Sequence, residues 1–197
     1  MLQTSTNPLL VAESKDELRV AMRKKVSAKR RMMLAQRQGN AAEQIAELPG
    51  HDEEIVMIMT GDYHGWDIVG AVISLAGVGV RHLRVATLGF NQAQTLHLAE
   101  MLDDKTVGQF SMVVSEMFRD KNKSEFASLR QELEDRGQAL ACGRNHAKVM
   151  CFDLEDGRTI VTHGSLNLRR CNSYEQISIS GDRKLHDFFA EFIDGQM

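Results

Sequence analysis

The sequence predicts an α/β fold: a mixed, mostly parallel sheet with helices on both faces, preceded by a basic N-terminal helix. Three observations predict it. From Ile55 onward, short apolar runs of strand length alternate with longer stretches of helical periodicity, which is the pattern of layered α/β domains. Asp156-Gly157 lies between two apolar runs and is a strong two-residue hairpin signal, so at least one pair of strands is antiparallel. Between Leu18 and Gln38 there are eight Lys or Arg (Arg19, Arg23, Lys24, Lys25, Lys29, Arg30, Arg31, Arg37) and no acid, with Leu18, Met22, Val26 and Met33 at helical spacing.

The elements follow in order. Ile55 to Met59 is continuously apolar and ends at Gly61, as a strand covered on both faces does. Trp66 to Ala76 is apolar nearly all round and reads as a buried helix, stopped by Gly77 and Gly79. Val80 to Leu88 is a second strand, and Asn91 starts a helix through Leu102. Phe110 to Val114 is a third strand. Phe126, Leu129 and Leu133 are the inner stripe of a helix ending near Gly137. Ala141-Cys142 lead into the apolar run Val149 to Phe152, and the hairpin follows. Glu175 to Ser180 alternates Ile177 and Ile179 with polar neighbours, a last strand. Leu185, Phe188, Phe189, Phe192 and Ile193 give the cleanest helical stripe in the chain, with Asp182 placed to cap it.

At 197 residues the chain is long enough for one domain with a full core. Gly39-Asn40 and Pro49-Gly50 mark breaks, so the expected division is a basic helical arm over 1–50 and a catalytic domain over 51–197. Net charge is −3, and the eight basic residues of the arm leave 16 basic against 27 acidic elsewhere, net −11. Such an arm either packs on the core by its Met/Val stripe or contacts a phosphate backbone, with Arg30 and Arg31 as substrate contacts. A membrane-surface helix would carry Trp or Phe among its basic residues, and this one has none. No apolar run approaches the length of a membrane span, and Leu9 to Ala12 is too short for a signal peptide's core. The expectation is a cytoplasmic protein without stable membrane association. Cys142, Cys151 and Cys171 lack metal-ligand spacing and read as free, buried thiols.

Chemistry concentrates in one stretch. His146 and Lys148, two apart on an extended chain, share a face, and so do Ser165 and Asn167. A hairpin at Asp156-Gly157 brings the first pair opposite the neighbourhood of Ser165. Imidazole, ammonium, hydroxyl and carboxamide then form one cluster, in which three groups donate to phosphate oxygens and the imidazole serves as nucleophile or acid.

The string HxKxxxxD at His146, Lys148 and Asp153, then GSxN at Gly164, Ser165 and Asn167, then Glu175, resembles the signature of the phospholipase D superfamily. Ten residues separate Asp153 from Gly164, more than the family usually has. That lengthens a hairpin and leaves both halves of the motif intact. The resemblance implies an α/β sandwich and a two-step phosphodiester cleavage. One histidine attacks phosphorus to give a phosphohistidine, and a second protonates the leaving oxygen and then activates water. One imidazole cannot hold both protonation states at once. Larger members carry two motifs per chain. This chain carries one, as do the short bacterial nucleases of the family, so a twofold homodimer with the site on its axis is expected.

Roles follow. His146 of one chain is the nucleophile and His146 of the other the acid and base. Lys148 and Asn167 hold the non-bridging oxygens, with Ser165 within reach of them. Glu175 accepts from a His146 ring nitrogen and fixes its tautomer. Asp153 points away from the His/Lys face and, with Gly164, is structural. No metal or other cofactor is expected. Thr87 and Asn91, flanking the end of the second strand, are expected to line the groove. His163 reads as structural, His64 sits in a loop after the first strand, and His51, His82, His97 and His186 read as surface residues. The function expected is a phosphodiesterase, a metal-independent endonuclease acting on DNA (or RNA) through a phosphohistidine at a homodimer interface. The alternatives are a non-catalytic nucleic-acid-binding module of the same fold and a phospholipid-cleaving or -transferring enzyme.

Overall fold

Order along the chain follows the periodicities. The computed structural model describes residues 32–59, 61–169 and 174–197. Residues 32–45 are helical (α1). There follow β1 (Glu54–Met59), α2 (Asp67–Ala76), β2 (Val80–Thr87), α3 (Gln92–Asp103), β3 (Val107–Ser115), α4 (Glu116–Lys121), α5 (Lys123–Glu134), β4 (Ala139–Gly143), β5 (Val149–Leu154), β6 (Thr159–Gly164), β7 (Glu175–Ser180) and α6 (Arg183–Asp194). Local chemistry sets several of these ends. Asn91 accepts from Gln94 N while the Gln94 side chain accepts from Asn91 N, a reciprocal cap that starts α3. Asp182 accepts from Lys184 N and Leu185 N and starts α6. Gly77, at φ 70°, takes the left-handed turn that closes α2.

The strands form one sheet in the order β1-β7-β6-β5-β2-β3-β4. It is mixed, but its balance differs from the expected one. Parallel pairing is confined to β2-β3 and β3-β4, whereas β1-β7, β7-β6, β6-β5 and β5-β2 are antiparallel. Two causes turn the balance. The Asp156-Gly157 hairpin enters the sheet beside β2, and β1 pairs with the last strand instead of with its neighbour in sequence.

Helices cover both faces, unequally. On one face α2, α3 and α5 pack Ile68, Val69, Leu98, Leu129 and Leu133 against Leu83, Val85, Phe110, Met112, Met150, Phe152 and Ile160. Trp66 closes this layer, its ring 4.8 Å from Phe90 and edge-on to it. On the other face α6 lies over Ala86, Val113, Val149, Cys151 and Val161 through Ala190 and Ile193. Burial pushes the Cys151 thiol up to about 12, so it is a protonated, apolar member of this layer.

The chain divides into two units, residues 1–36 and 37–197. Residues 37–50 therefore belong with the sheet, which moves the expected boundary at residue 50. Arg37 grips the buried Asp67 with Nε at 2.7 Å and Nη2 at 3.3 Å, and Ala41 and Ile45 are buried in the main core. The remaining basic residues of the arm, Arg30 and Arg31 among them, lie outside the described residues.

Of the histidines expected at the surface, His186 is buried and His82 and His97 are half-buried. His186 is 2% exposed, with Nε2 3.6 Å from Asp153 and Nδ1 3.0 Å from Asp187. His97 accepts the Trp66 indole N–H at 2.9 Å. His82 lies 2.9 Å from the Ser111 hydroxyl, and burial, with Arg84 beside it, lowers its pKa. Each occupies a polar niche in an otherwise apolar layer, which a count of apolar positions does not register. His51 is exposed, as expected.

Candidate active site

The site is built where the chain crosses from one side of the sheet to its middle. β4 is an edge strand against β3, whereas β5, next in sequence, pairs with β2. Residues 144–148 must therefore pass over the ends of β3 and β2. Asn145, 9% exposed, pins this crossing. Its amide donates to Thr87 O at 2.9 Å and Val113 O at 3.1 Å, and its carbonyl accepts from Ala147 N at 2.9 Å. Both strand ends gain a donor for carbonyls that would otherwise be orphaned, and His146 is turned out to solvent. Lys148 is half-buried. Its ammonium donates to His146 O at 2.9 Å and lies 3.2 Å from His146 Nδ1.

β5 then runs antiparallel to β6 with Val149 opposite His163. One further step of that register sets Lys148 opposite Gly164, so the hairpin brings the two motif halves to one end of the sheet. Gly164 pairs with Ile177 of β7, and a Cβ there would fall on the Gln176 carbonyl. No larger residue lets β6 and β7 come this close. Beyond it Ser165 N donates to Gln176 O at 2.9 Å, Gln176 N donates to Ser165 Oγ at 3.0 Å, and the Ser165 hydroxyl donates to the Glu175 carboxylate. Glu175 is thus engaged by Ser165 in this structure. Asn167 sits between the buried Leu166 and Leu168, and its Oδ1 is buried without a hydrogen-bond partner. Gly65 abuts this turn, since a Cβ on it would lie 2.7 Å from Asn167 O. The His64 loop therefore borders the site, with Asp67 accepting from His64 N at 2.8 Å. Among the described residues no group of three His, Cys, Asp or Glu is arranged to hold a metal ion.

Both expected groove residues are engaged within the fold. Thr87 is fully buried with its hydroxyl on Gly89 O, because it faces the helix-covered layer. Asn91 is committed to capping α3. Asp153 faces α6, where Arg84 bridges it at 2.6 Å to Asp194 at 2.8 Å. His163 tilts over Phe189 at 5.8 Å, with Nε2 3.4 Å from Glu54. Asn145 was missed by sequence reasoning. Its only signal is position, one residue before His146, and no periodicity marks it.

Solved structures share the fold. No family profile and no curated protein sequence matches the chain. A polyphosphate kinase from Porphyromonas gingivalis superposes with a TM-score of 0.54 at 13% identity, over 74% of this chain and 26% of its own. NucT from Helicobacter pylori superposes with a TM-score of 0.51 at 14% identity, over 73% of this chain and 96% of its own. Both are members of the phospholipase D superfamily. The fold is phospholipase D-like. At such identities the likeness is one of fold, and the chain spans about a quarter of the kinase and nearly all of NucT.

Asp153 is paired with Arg84 beneath α6. Asp153→Asn leaves Arg84 half-paired beneath α6 and is expected to lower stability by roughly 1–3 kcal/mol, the range for a partly buried hydrogen-bonded ion pair. Below its melting point the variant should keep kcat/KM on a diester within about threefold of the parent. Thermal melts beside steady-state kinetics check this; a collapse of kcat with unchanged melting would assign Asp153 to the chemistry.

Proposed function

We propose that this phospholipase D-like chain is a phosphodiesterase, a nuclease acting on DNA or RNA through a phosphohistidine at a homodimer interface and without a metal ion. The observation that carries the reading is the pairing of His146 and Lys148, 3.2 Å apart at the same sheet end as Ser165, Asn167 and Glu175. A phosphodiester needs a nucleophile, a cation for its non-bridging oxygens and a carboxylate to steer an imidazole, and these residue types supply all three.

In the free site the ammonium of Lys148 is the donor toward Nδ1, which leaves the neutral His146 ring with its proton on Nε2. A bound phosphate oxygen draws Lys148 away. Nδ1 then carries the proton, with Glu175 at hand to accept it, and the Nε2 lone pair is free. Nε2 attacks phosphorus while the P–O bond to the leaving group breaks. The second subunit's imidazole gives that oxygen its proton. The same imidazole then takes a proton from water, the oxygen of which attacks phosphorus and breaks the P–N bond. Asn167, its Oδ1 unbonded in the free site, orients its amide toward the equatorial oxygens.

The test is hydrolysis of bis(4-nitrophenyl) phosphate and nicking of plasmid in excess EDTA, run beside light scattering. Turnover in the chelator by a species of twice the chain mass is expected. Retardation of plasmid without cutting would instead make the chain a nucleic-acid-binding module. Turnover of phosphatidyl substrates in vesicles, with DNA untouched, would make it a lipid enzyme.

A further inference from the structure

A cleft of about 330 Å³ opens beside Asn167, walled by Leu88, Met117 and Phe118 and edged by Lys121 and Arg169. Such a volume is at the lower end for small-ligand sites. Its two halves differ in chemistry. Met117 is 45% exposed on α4, an apolar side chain with no core to fill. Arg169 is held rigidly: Nε donates to Phe90 O at 3.2 Å, Nη2 to Asn122 Oδ1 at 3.1 Å, and the guanidinium stacks 5.2 Å from the Phe118 ring centre. Among the described residues no carboxylate pairs with Arg169 or Lys121. Glu125, the acid that feels the charge of Arg169, is bonded to Ser124 Oγ and forms no ion pair with the guanidinium. A fixed guanidinium with no directly paired carboxylate, at the rim of a cavity, is arranged for an anion that arrives with the ligand.

The geometry points to a nucleotide subsite: the nucleoside esterified to the scissile phosphate lies against Leu88 and Met117, and its next phosphate is held by Arg169 and Lys121. The inference rests on the proposed diesterase reading and names its substrate as a strand. A single-phosphate lipid brings one anion, already met by Lys148. A nucleic acid brings a second at fixed reach, and the cleft offers two further cations for it.

The test separates the two readings. Binding of fluorescein-labelled pentathymidylate is measured by anisotropy across a salt series in the His146→Ala protein, which cannot turn over. The subsite is then tested even if no diester is ever cut, and bis(4-nitrophenyl) phosphate, lacking a second phosphate, reports on the reaction alone. Lys121→Gln and Arg169→Gln should each lower the slope of log K against log salt by about 0.7 and weaken binding about tenfold at low salt. Among the described residues the Lys121 side chain makes no hydrogen bond, so its variant folds even if the loss of Arg169 disturbs the Phe118 wall. Met117→Ala should weaken the pentamer a few-fold and leave an abasic strand of equal length unaffected. Unchanged slopes in both charge variants overturn the phosphate site, and equal effects of Met117→Ala on both strands overturn the base contact. Competition by phosphatidylglycerol vesicles, lost in the same variants, would reassign the cleft to a lipid headgroup.

Discussion

His146→Ala is expected to lower kcat/KM for diester hydrolysis by on the order of 10⁴-fold, the scale on which removing one member of a cooperating nucleophile and base acts. The fold should not notice. The ring is exposed and, among the described residues, Lys148 is the one bonded neighbour of its side chain, so stability should stay within the scatter of a surface substitution, about 0.5 kcal/mol. A dimer with one shared site adds a second signature. If both imidazoles are needed for one turnover, subunit exchange with His146→Ala chain at constant total protein leaves only wild-type pairs active, and total activity falls as the square of the wild-type fraction. A linear decline would mean that each subunit works alone, and a variant retaining a tenth of the activity would take His146 out of the nucleophile's role.

Asn145→Ala should act on stability and rate together. Three hydrogen bonds converge on a side chain that is 9% exposed, and its loss strands the Thr87 and Val113 carbonyls. The expected loss is roughly 2–4 kcal/mol, two or three buried partners at about 1 kcal/mol or more each. The backbone that aims His146 loosens with it, and a misplacement near 1 Å is worth about 10²-fold in rate, so kcat should fall while KM holds. Asn145→Asp should rank below alanine, since a carboxylate would face two carbonyl oxygens that need donors. Melting curves and single-turnover rates on all three proteins decide it. An aspartate variant as stable as the parent would contradict the hydrogen-bond assignment.

Much of the layered fold was legible, because burial writes periodicity into sequence. The α6 helix and the Asp156-Gly157 turn needed only local information. The run Ile55–Met59 is a strand, but an edge one with Val56 and Ile58 facing solvent, not covered on both faces as its continuous apolarity suggested. Strand neighbours needed more than local information. Nothing local distinguishes a β4 that leads directly into β5 from one that sits across the sheet, since both read as apolar residues before an HxK. The crossing between them, and Asn145 with it, exists only once the strand order is known. Thr87 failed for a related reason. Its place at a strand end was right, but which face it presents depends on the layer that covers the strand. The motif residues could be assembled because the hairpin between them is local and its register follows from a two-residue turn.

The pairing of β1 with β7 has a consequence for how the protein is made. Ser180 donates to Glu53 O across 127 positions of sequence, and every rung of the β1 ladder joins residues similarly far apart. At ordinary synthesis rates β1 leaves the ribosome on the order of ten seconds before its only partner exists. For that interval the apolar run from Ile55 to Met59 has no ladder to join, and Val56 and Ile58 stay solvent-facing even afterwards. Nascent chains interrupted before residue 175 should consequently be chaperone clients, and release from the chaperone should track completion of the final strand.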